Sequence, residues 1–297
     1  MRNIRKRWQL YLVLALPLCY LALFHYAPMY GVQIAFKNFI VTKGITGSPW
    51  IGLKHFQRFF SSYQFWRLVK NTIGISFYSL AAGFPVPIIL AILINEVGSH
   101  SFKKTVQMIT YAPHFISTVV MVAIILQFLD PKMGLVNRLV VMLGGSAVNF
   151  MAKPELFKTI YVLSGVWQNA GYSAVIYIAA LSSIDPQLEE AAVIDGASKL
   201  QKIIHIDIPG ILPTAIILLI LNMGRIMNVG FEKVYLMQNP LNMTTSDVIS
   251  TYIYRTGLVS AQYSFSAAVG LFNSVINLIL IGSVNQLARR LGETSLW

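Results

Sequence analysis

Glu190-Ala191-Ala192-Val193-Ile194-Asp195-Gly196-Ala197, followed shortly by Ile206-Asp207-Ile208-Pro209, is a patterned polar island between two long apolar runs. Asp185-Pro186 has the form of a helix start, with Asp at the N-cap and Pro at the first helical position. A helix over 188–195 then ends at Gly196, which supplies the positive φ of a C-terminal cap. A second helix, over 198–206, returns toward the next apolar run with Ile203, Ile204 and Ile206 as anchors, and Pro209 and Pro213 mark the re-entry. Ala191 and Ala192 give the small contact face needed by a helix that enters a cleft on another protein. Glu189 and Glu190 are placed to meet basic groups there. Exposed ion pairs of that kind are worth about 0–1 kcal/mol each, so they set orientation more than affinity.

The flanking runs settle the class. Of 297 residues, 56% are hydrophobic and 11% charged, against about 25% charged in soluble domains. Uncharged segments of about twenty residues mark membrane spans, and six are found: 10–30, 72–94, 106–129, 159–181, 211–229 and 264–287. The fold class is therefore all-α, a polytopic membrane protein, with one transmembrane domain over 1–297 and a cytoplasmic loop at 182–209. A β-barrel alternates apolar and polar positions, whereas these runs are continuous. The net charge of +12 comes from residues flanking the spans, which is membrane anchoring rather than nucleic-acid readout. The lone Cys19 has no partner for a disulfide and sits inside the first run.

Arg2, Arg5, Lys6 and Arg7 precede a first span that is too long for a secretory signal and lacks a small-residue cleavage site, so it reads as uncleaved. With Arg289 and Arg290 at the other end, both termini read as cytoplasmic, in keeping with an even number of spans. The outer loop 31–70 carries turn residues at Gly44, Gly47-Ser48-Pro49-Trp50 and Gly52, then an interfacial helix at 55–60. A short amphipathic helix is expected at 132–143, and 240–250 reads as a polar loop. Pro17, Pro28, Pro85, Pro87 and Pro113 fall inside spans, where they serve packing or hinging.

Polar side chains inside spans are costly and mark function by default. Asn222, Arg225, Asn228 and Glu232 repeat every three or four residues and so share one helix face. Trp167, Asn169 and Tyr172, beside Gln168, add to them from the fourth span, and Asn273 and Asn277 from the sixth. Amides, carboxylates and aromatic faces are the groups that bind sugars. If the sugar is acidic, such as a uronate, Arg225 is the residue suited to its carboxylate.

The polar island resembles the loop by which ABC-importer permeases dock onto their ATPase subunit. Nearly the whole chain is similar to the carbohydrate-uptake family of these permeases. Within it, the chain resembles the subgroup importing complex oligosaccharides in Gram-positive bacteria, the lipoprotein-linked and aldouronate or pectin-fragment type. Beyond the loop, the resemblance rests on Tyr26-Ala27-Pro28-Met29-Tyr30-Gly31, Ala35-Phe36-Lys37, Gly47-Ser48-Pro49-Trp50-Ile51-Gly52-Leu53, Phe231-Glu232-Lys233-Val234-Tyr235, Gly270-Leu271-Phe272-Asn273-Ser274 and Ser295-Leu296-Trp297. The family usually has Leu-Pro where this chain has Ile208-Pro209. The resemblance implies a type I importer permease fold in a bacterial cytoplasmic membrane. It implies a second permease chain making a heterodimer, two ATPase subunits and an extracellular solute-binding lipoprotein. It also implies that Glu189, Glu190, Ala191, Ala192, Asp195, Gly196, Ala197 and Pro209 couple to the ATPase.

The sequence contains no Gly-x-x-x-x-Gly-Lys-Ser/Thr phosphate loop, so ATP and Mg are assigned to the partner ATPase and no cofactor or metal to this chain. A membrane-embedded enzyme acting on glycan or lipid precursors is the alternative, but it would need paired carboxylates or a metal cluster at the interface. A passive channel would have no use for an Asp-Gly-Ala corner.

Overall fold

The structure, a computed structural model, describes residues 8–224 and 226–290. Arg2, Arg5, Lys6, Arg7, Arg225 and Ser295-Leu296-Trp297 lie outside the described residues. The fold is all-α: among the described residues the extended pairings are two isolated bridges, Lys37 with Trp50 and Ile40 with Gly44. The helices are α1 (Trp8–Phe36), α2 (Lys54–Phe60), α3 (Phe65–Asn95), α4 (His100–Tyr111), α5 (Thr118–Phe128), α6 (Leu135–Met142), α7 (Pro154–Leu181), α8 (Pro186–Ile194), α9 (Lys199–Met223), α10 (Phe231–Met237), α11 (Ile249–Tyr254) and α12 (Tyr263–Arg290).

Helices α1, α3, α9 and α12 are long and apolar enough to cross a membrane. The span expected at 106–129 is instead a broken one, with α4 and α5 bent by 100°. Pro113 interrupts the ladder there, and Ser117 starts a new helix by accepting the Val120 N–H on its Oγ at 3.4 Å. The span expected at 159–181 lies within α7, which has 28 residues but carries Trp167-Gln168-Asn169 and Tyr172 midway. Among the described residues, length and apolarity thus support four spans, or five if the bent pair counts as one. The fifth span ends at Met223 rather than 229, because Gly224 caps α9.

Contacts divide the chain into two compact units, Met1–Phe65 with Ile253–Asn273, and Trp66–Tyr252 with Ser274–Trp297. In the first, Phe59 packs edge-on against Phe65, Phe265 and Phe272, and Arg58 lies 4.4 Å over the Phe265 ring. Gly44 and Gly52 turn the outer loop at φ +64 and +63. Lys37 is buried over Trp50 and donates to the Ile45 carbonyl at 2.7 Å. No residue of Trp8–Leu21 is buried.

The described residues of the second unit include two apolar clusters. One joins Ile75, Met121, Ile125, Phe157, Val234 and Val248; the other joins Ala91, Ile92, Ala174, Tyr177, Ile211 and Ala215. The loop expected to be polar at 240–250 is polar and in part buried. Asn242, Ser246 and Asp247 are fully enclosed. Asn242 Nδ2 donates to the Met151 and Met237 carbonyls at 3.0 and 3.1 Å. Asn71 Nδ2 donates to the Thr244 and Asp247 carbonyls at 2.9 and 3.0 Å.

Helices α4 and α7 touch at a glycine. A Cβ on Gly171 would collide with the Thr110 carbonyl oxygen. Small residues permit such close approach in membranes, where packing rather than hydrophobic exclusion holds helices together. Gly171→Ala is therefore expected to lower the thermal midpoint in detergent, with a loss of about 1–3 kcal/mol from overpacking. Gly282→Ala, whose Cβ would meet nothing within 4 Å, is the control. Equal midpoints for Gly171→Ala and wild type would sink the crossing argument.

Candidate functional site

The loop between α7 and α9 is built by its caps. Asp185 Oδ1 accepts the Gln187 N–H at 3.0 Å and Pro186 opens α8. At the other end the Gly196 N–H reaches the Val193 carbonyl at 3.1 Å and the Ala197 N–H reaches the Ala192 carbonyl at 2.9 Å. With Gly196 at φ +74, this is a Schellman motif. Ser198 then caps the next helix in a reciprocal box with Gln201: the Ser198 N–H donates to Oε1 at 2.8 Å, and Ser198 Oγ accepts the Gln201 N–H at 3.4 Å. The helix expected to stop at 206 does not stop. It runs on to Met223 as α9, through a π-turn at Ile203–Asp207. Pro209 has no N–H for the His205 carbonyl, and the ladder widens just before it, with the Ile208 N–H reaching Ile203.

No residue of α8 is buried, and Leu188, Val193 and Ile194 are 54%, 73% and 84% exposed. Glu190, Ala191, Asp195 and Gly196 are exposed, whereas Ala192 and Ala197 are half-buried. Pro209 is exposed on α9.

Glu189 is engaged within the chain. Lys202 Nζ lies 2.7 Å from Glu96, 3.3 Å from Glu189 and 3.6 Å from Asp207. Asp207 is completely buried. One ammonium therefore gathers carboxylates from the end of α3, from α8 and from α9.

Farther along the same unit, a polar cleft of about 320 Å³ is lined by Ser76, Ser79 and Gly83 of α3, Tyr161 and Ser173 of α7, and Asn222, Asn228 and Gly230. A second recess of about 250 Å³ shares Ser79, Gly83, Tyr161 and Ser173 and adds Gln168, Asn169 and Lys233.

Among the residues expected on a pathway, Asn222, Asn228 and Asn169 line these clefts. Arg225 lies outside the described residues. Asn222, Asn228 and Glu232 do not share one helical face: α9 ends at Met223, and the helix resumes at Phe231 after Gly230. Glu232 is exposed. Trp167 lines a different, apolar recess with Ile109 and Pro113. Tyr172 stacks on His114 at 3.9 Å, and Asn169 Oδ1 is 3.0 Å from His114 Nδ1. Asn277 Oδ1 accepts the Met227 N–H at 3.1 Å and its Nδ2 donates to Asn228 at 3.3 Å. Asn273 belongs to the first unit.

Sequence reasoning passed over Ser76, Ser79 and Gly83, although their spacing of three and four residues marks one helix stripe. It also passed over Lys233, which is 8% exposed. Burial pushes its pKa down to about 8.

Residues 83–293 match the family of binding-protein-dependent transport system inner membrane components. The polygalacturonan/rhamnogalacturonan transport system permease protein YteP of Bacillus subtilis (strain 168) is 44% identical over 97% of this chain and 90% of its own length. A solved bacterial ABC transporter involved in the import of the acidic polysaccharide alginate contains a chain 43% identical, with a TM-score of 0.91, covering 97% of this chain and 98% of that one. The bacterial alginate ABC transporter in complex with an alginate pentasaccharide-bound periplasmic protein gives 42%, 0.92 and 99% of both chains. The chain belongs to the family of binding-protein-dependent transport system inner membrane components. It is a multi-pass permease subunit of an ABC importer with the type I fold, and not an enzyme.

Removing Lys202 leaves a buried Asp207 without its cation. Lys202→Met is expected to cost about 3 kcal/mol, the scale for stranding one member of a buried pair. It should also speed proteolysis of the 182–209 loop in detergent. The double variant Lys202→Met/Asp207→Leu should recover most of that loss. Additive losses would show that the two residues do not act on each other.

Proposed function

We propose that this chain is one half of a permease pair importing acidic oligosaccharides, with α8 as the element on which the ATPase acts. The carrying observation is α8 itself, a helix fixed at both ends by caps yet with no residue buried, presenting Leu188, Val193 and Ile194 at a polar turn. Apolar groups rimmed by polar ones mark a protein contact. A helix that is rigid and uncovered is suited to fill a partner's cleft. Glu190, Ala191, Ala192, Asp195, Gly196, Ala197 and Pro209 form or support that surface, while Glu189 ties it back to Lys202.

In this scheme a second permease chain completes the translocation route, and two ATPase subunits bind ATP and Mg outside this chain. An extracellular binding lipoprotein delivers the glycan. The chain sits in the bacterial cell membrane as one transmembrane domain, with both termini and the 182–209 loop in the cytoplasm. Closure of the ATPase pair on ATP pushes α8. The push passes through Lys202 to the ends of α3 and α9, and the route opens to the other side. The polar cleft between α3 and α7, with Asn222, Asn228 and Asn169 on its walls, is the stretch of that route formed here. Support for an acidic cargo comes from the alginate importer and the polygalacturonan/rhamnogalacturonan permease to which the chain is similar.

Gly196→Pro removes a φ of +74 that proline, fixed near −65°, does not adopt, and Glu190→Lys inverts a rim charge. Both variants should reach the membrane yet lose the link between ATP hydrolysis and uptake in proteoliposomes. Normal coupled uptake by both would exclude α8 as the transmitting element. Gentle purification of the chain with mass spectrometry of its companions should recover a second permease and an ATPase. Recovery of the folded chain without an ATPase would count against the whole scheme.

A further inference from the structure

We propose that Lys233 is the residue of this chain that reads the negative charge of the cargo as it passes. The inference rests on the reading above that the cargo is an acidic oligosaccharide, and deepens it by naming the specificity-determining group.

Lys233 lies on α10, and it is one of the few charged side chains the fold encloses. Its ammonium donates to the Tyr161 carbonyl at 3.0 Å and sits 4.8 Å over the Tyr161 ring. An ammonium has three donors, and the other two find no acceptor among the described residues. Nor does any carboxylate among them lie within ion-pair distance of it. Space for it is left by Gly165, where a Cβ would stand 3.3 Å from Nζ.

Burying a cation without a counter-ion is costly, so a purely structural position would favour methionine or leucine. Here the charge instead forms part of the wall of the recess that continues the polar cleft, alongside Ser79, Asn169 and Ser173. A passing carboxylate would supply the missing acceptor through charge-assisted bonds. Serines and amides on the same walls suit sugar hydroxyls. The arrangement contains no fixed anion that would hold the cation shut, so the bond forms with the cargo and is released with it.

The test uses the complete transporter in proteoliposomes, with its binding protein loaded with an alginate or galacturonate oligosaccharide. Near neutral pH, Lys233→Met should cut uptake by about tenfold or more, the scale of one charge-assisted bond. Assembly and binding-protein-stimulated ATP hydrolysis should stay within about twofold of wild type, below the effect of one such bond. Lys233→Arg should retain uptake. The uptake of wild type relative to Lys233→Arg should fall as pH rises through about 8, where burial places the loss of the lysine charge. Tyr161 is the titratable group facing it from α7, Glu232 precedes it on α10, and α5, packed against α10, carries none.

Normal uptake by Lys233→Met overturns the proposal. So does parallel loss of uptake and ATP hydrolysis, or failure to assemble, since each makes Lys233 structural. If wild-type vesicles import a neutral oligosaccharide but no acidic one, the acidic-cargo reading itself falls, an outcome distinct from wild-type uptake that the variant shares.

Discussion

The hydrocarbon core offers little water to a broken helix, so the backbone groups freed at a break need partners from the protein, ordered water or a local change of helix type. In this protein carboxamides close such breaks. Gln168 donates to the Ile116 carbonyl where α4 turns into α5. Asn277 accepts the Met227 N–H just past the end of α9. Asn137 accepts the Val148 N–H at 2.7 Å and donates to the Asp130 and Val148 carbonyls. Asn242 and Asn71 do the same for the buried loop ahead of α11. A buried polar group left unsatisfied costs about 1–3 kcal/mol, so these amides stabilise the breaks they close. The breaks in turn bring α10, with Lys233, to the side of α7.

That division explains what was legible in the sequence. The all-α class, the first, second, fifth and sixth apolar segments, and both caps of α8 could be read, because each rests on local rules: run length, Asp-Pro at a helix start, Gly at a helix end. The 100° bend after Phe115 was not, although Pro113 hinted at it, because a proline in a span bends or breaks it according to what its neighbours offer. Asn277, expected on a pathway, accepts the Met227 N–H and donates to Asn228 of the cleft wall. An amide's chemistry is the same in either role, and only its partner decides. Extrapolating a helical face through Asn228 and Glu232 failed because Gly224 and Gly230 end one helix and begin another. Lys233 stands in the sequence only as part of the Phe231–Tyr235 stretch that carries the resemblance, with no role read from it, because its burial depends on how α10 packs.

The loop has the opposite character. Its surface is open, but its position is tied by a single cation shared among Glu96, Glu189 and Asp207. Such a hub couples three elements without covering any of them. Movement of α8 cannot leave the ends of α3 and α9 unaffected while Lys202 holds all three carboxylates. Surface ion pairs contribute little singly, whereas here the enclosed Asp207 makes the loss of the cation expensive.

The π-turn at Ile203–Asp207 bears on the phase of α9. Each residue of an α-helix advances by about 100°, and a π-turn absorbs one residue without that advance. Lys202 precedes the turn, and Ile211 and Ala215, buried in the packed cluster, follow it. The charged hub and the packed face therefore keep the alignment of a plain α-helix although the segment holds one residue more. A single-residue deletion between Ile203 and Asp207 would leave the two faces aligned, whereas the same deletion farther along α9 would swing them apart by roughly 100°. The turn makes this segment tolerant of a change in chain length that the rest of the helix is not.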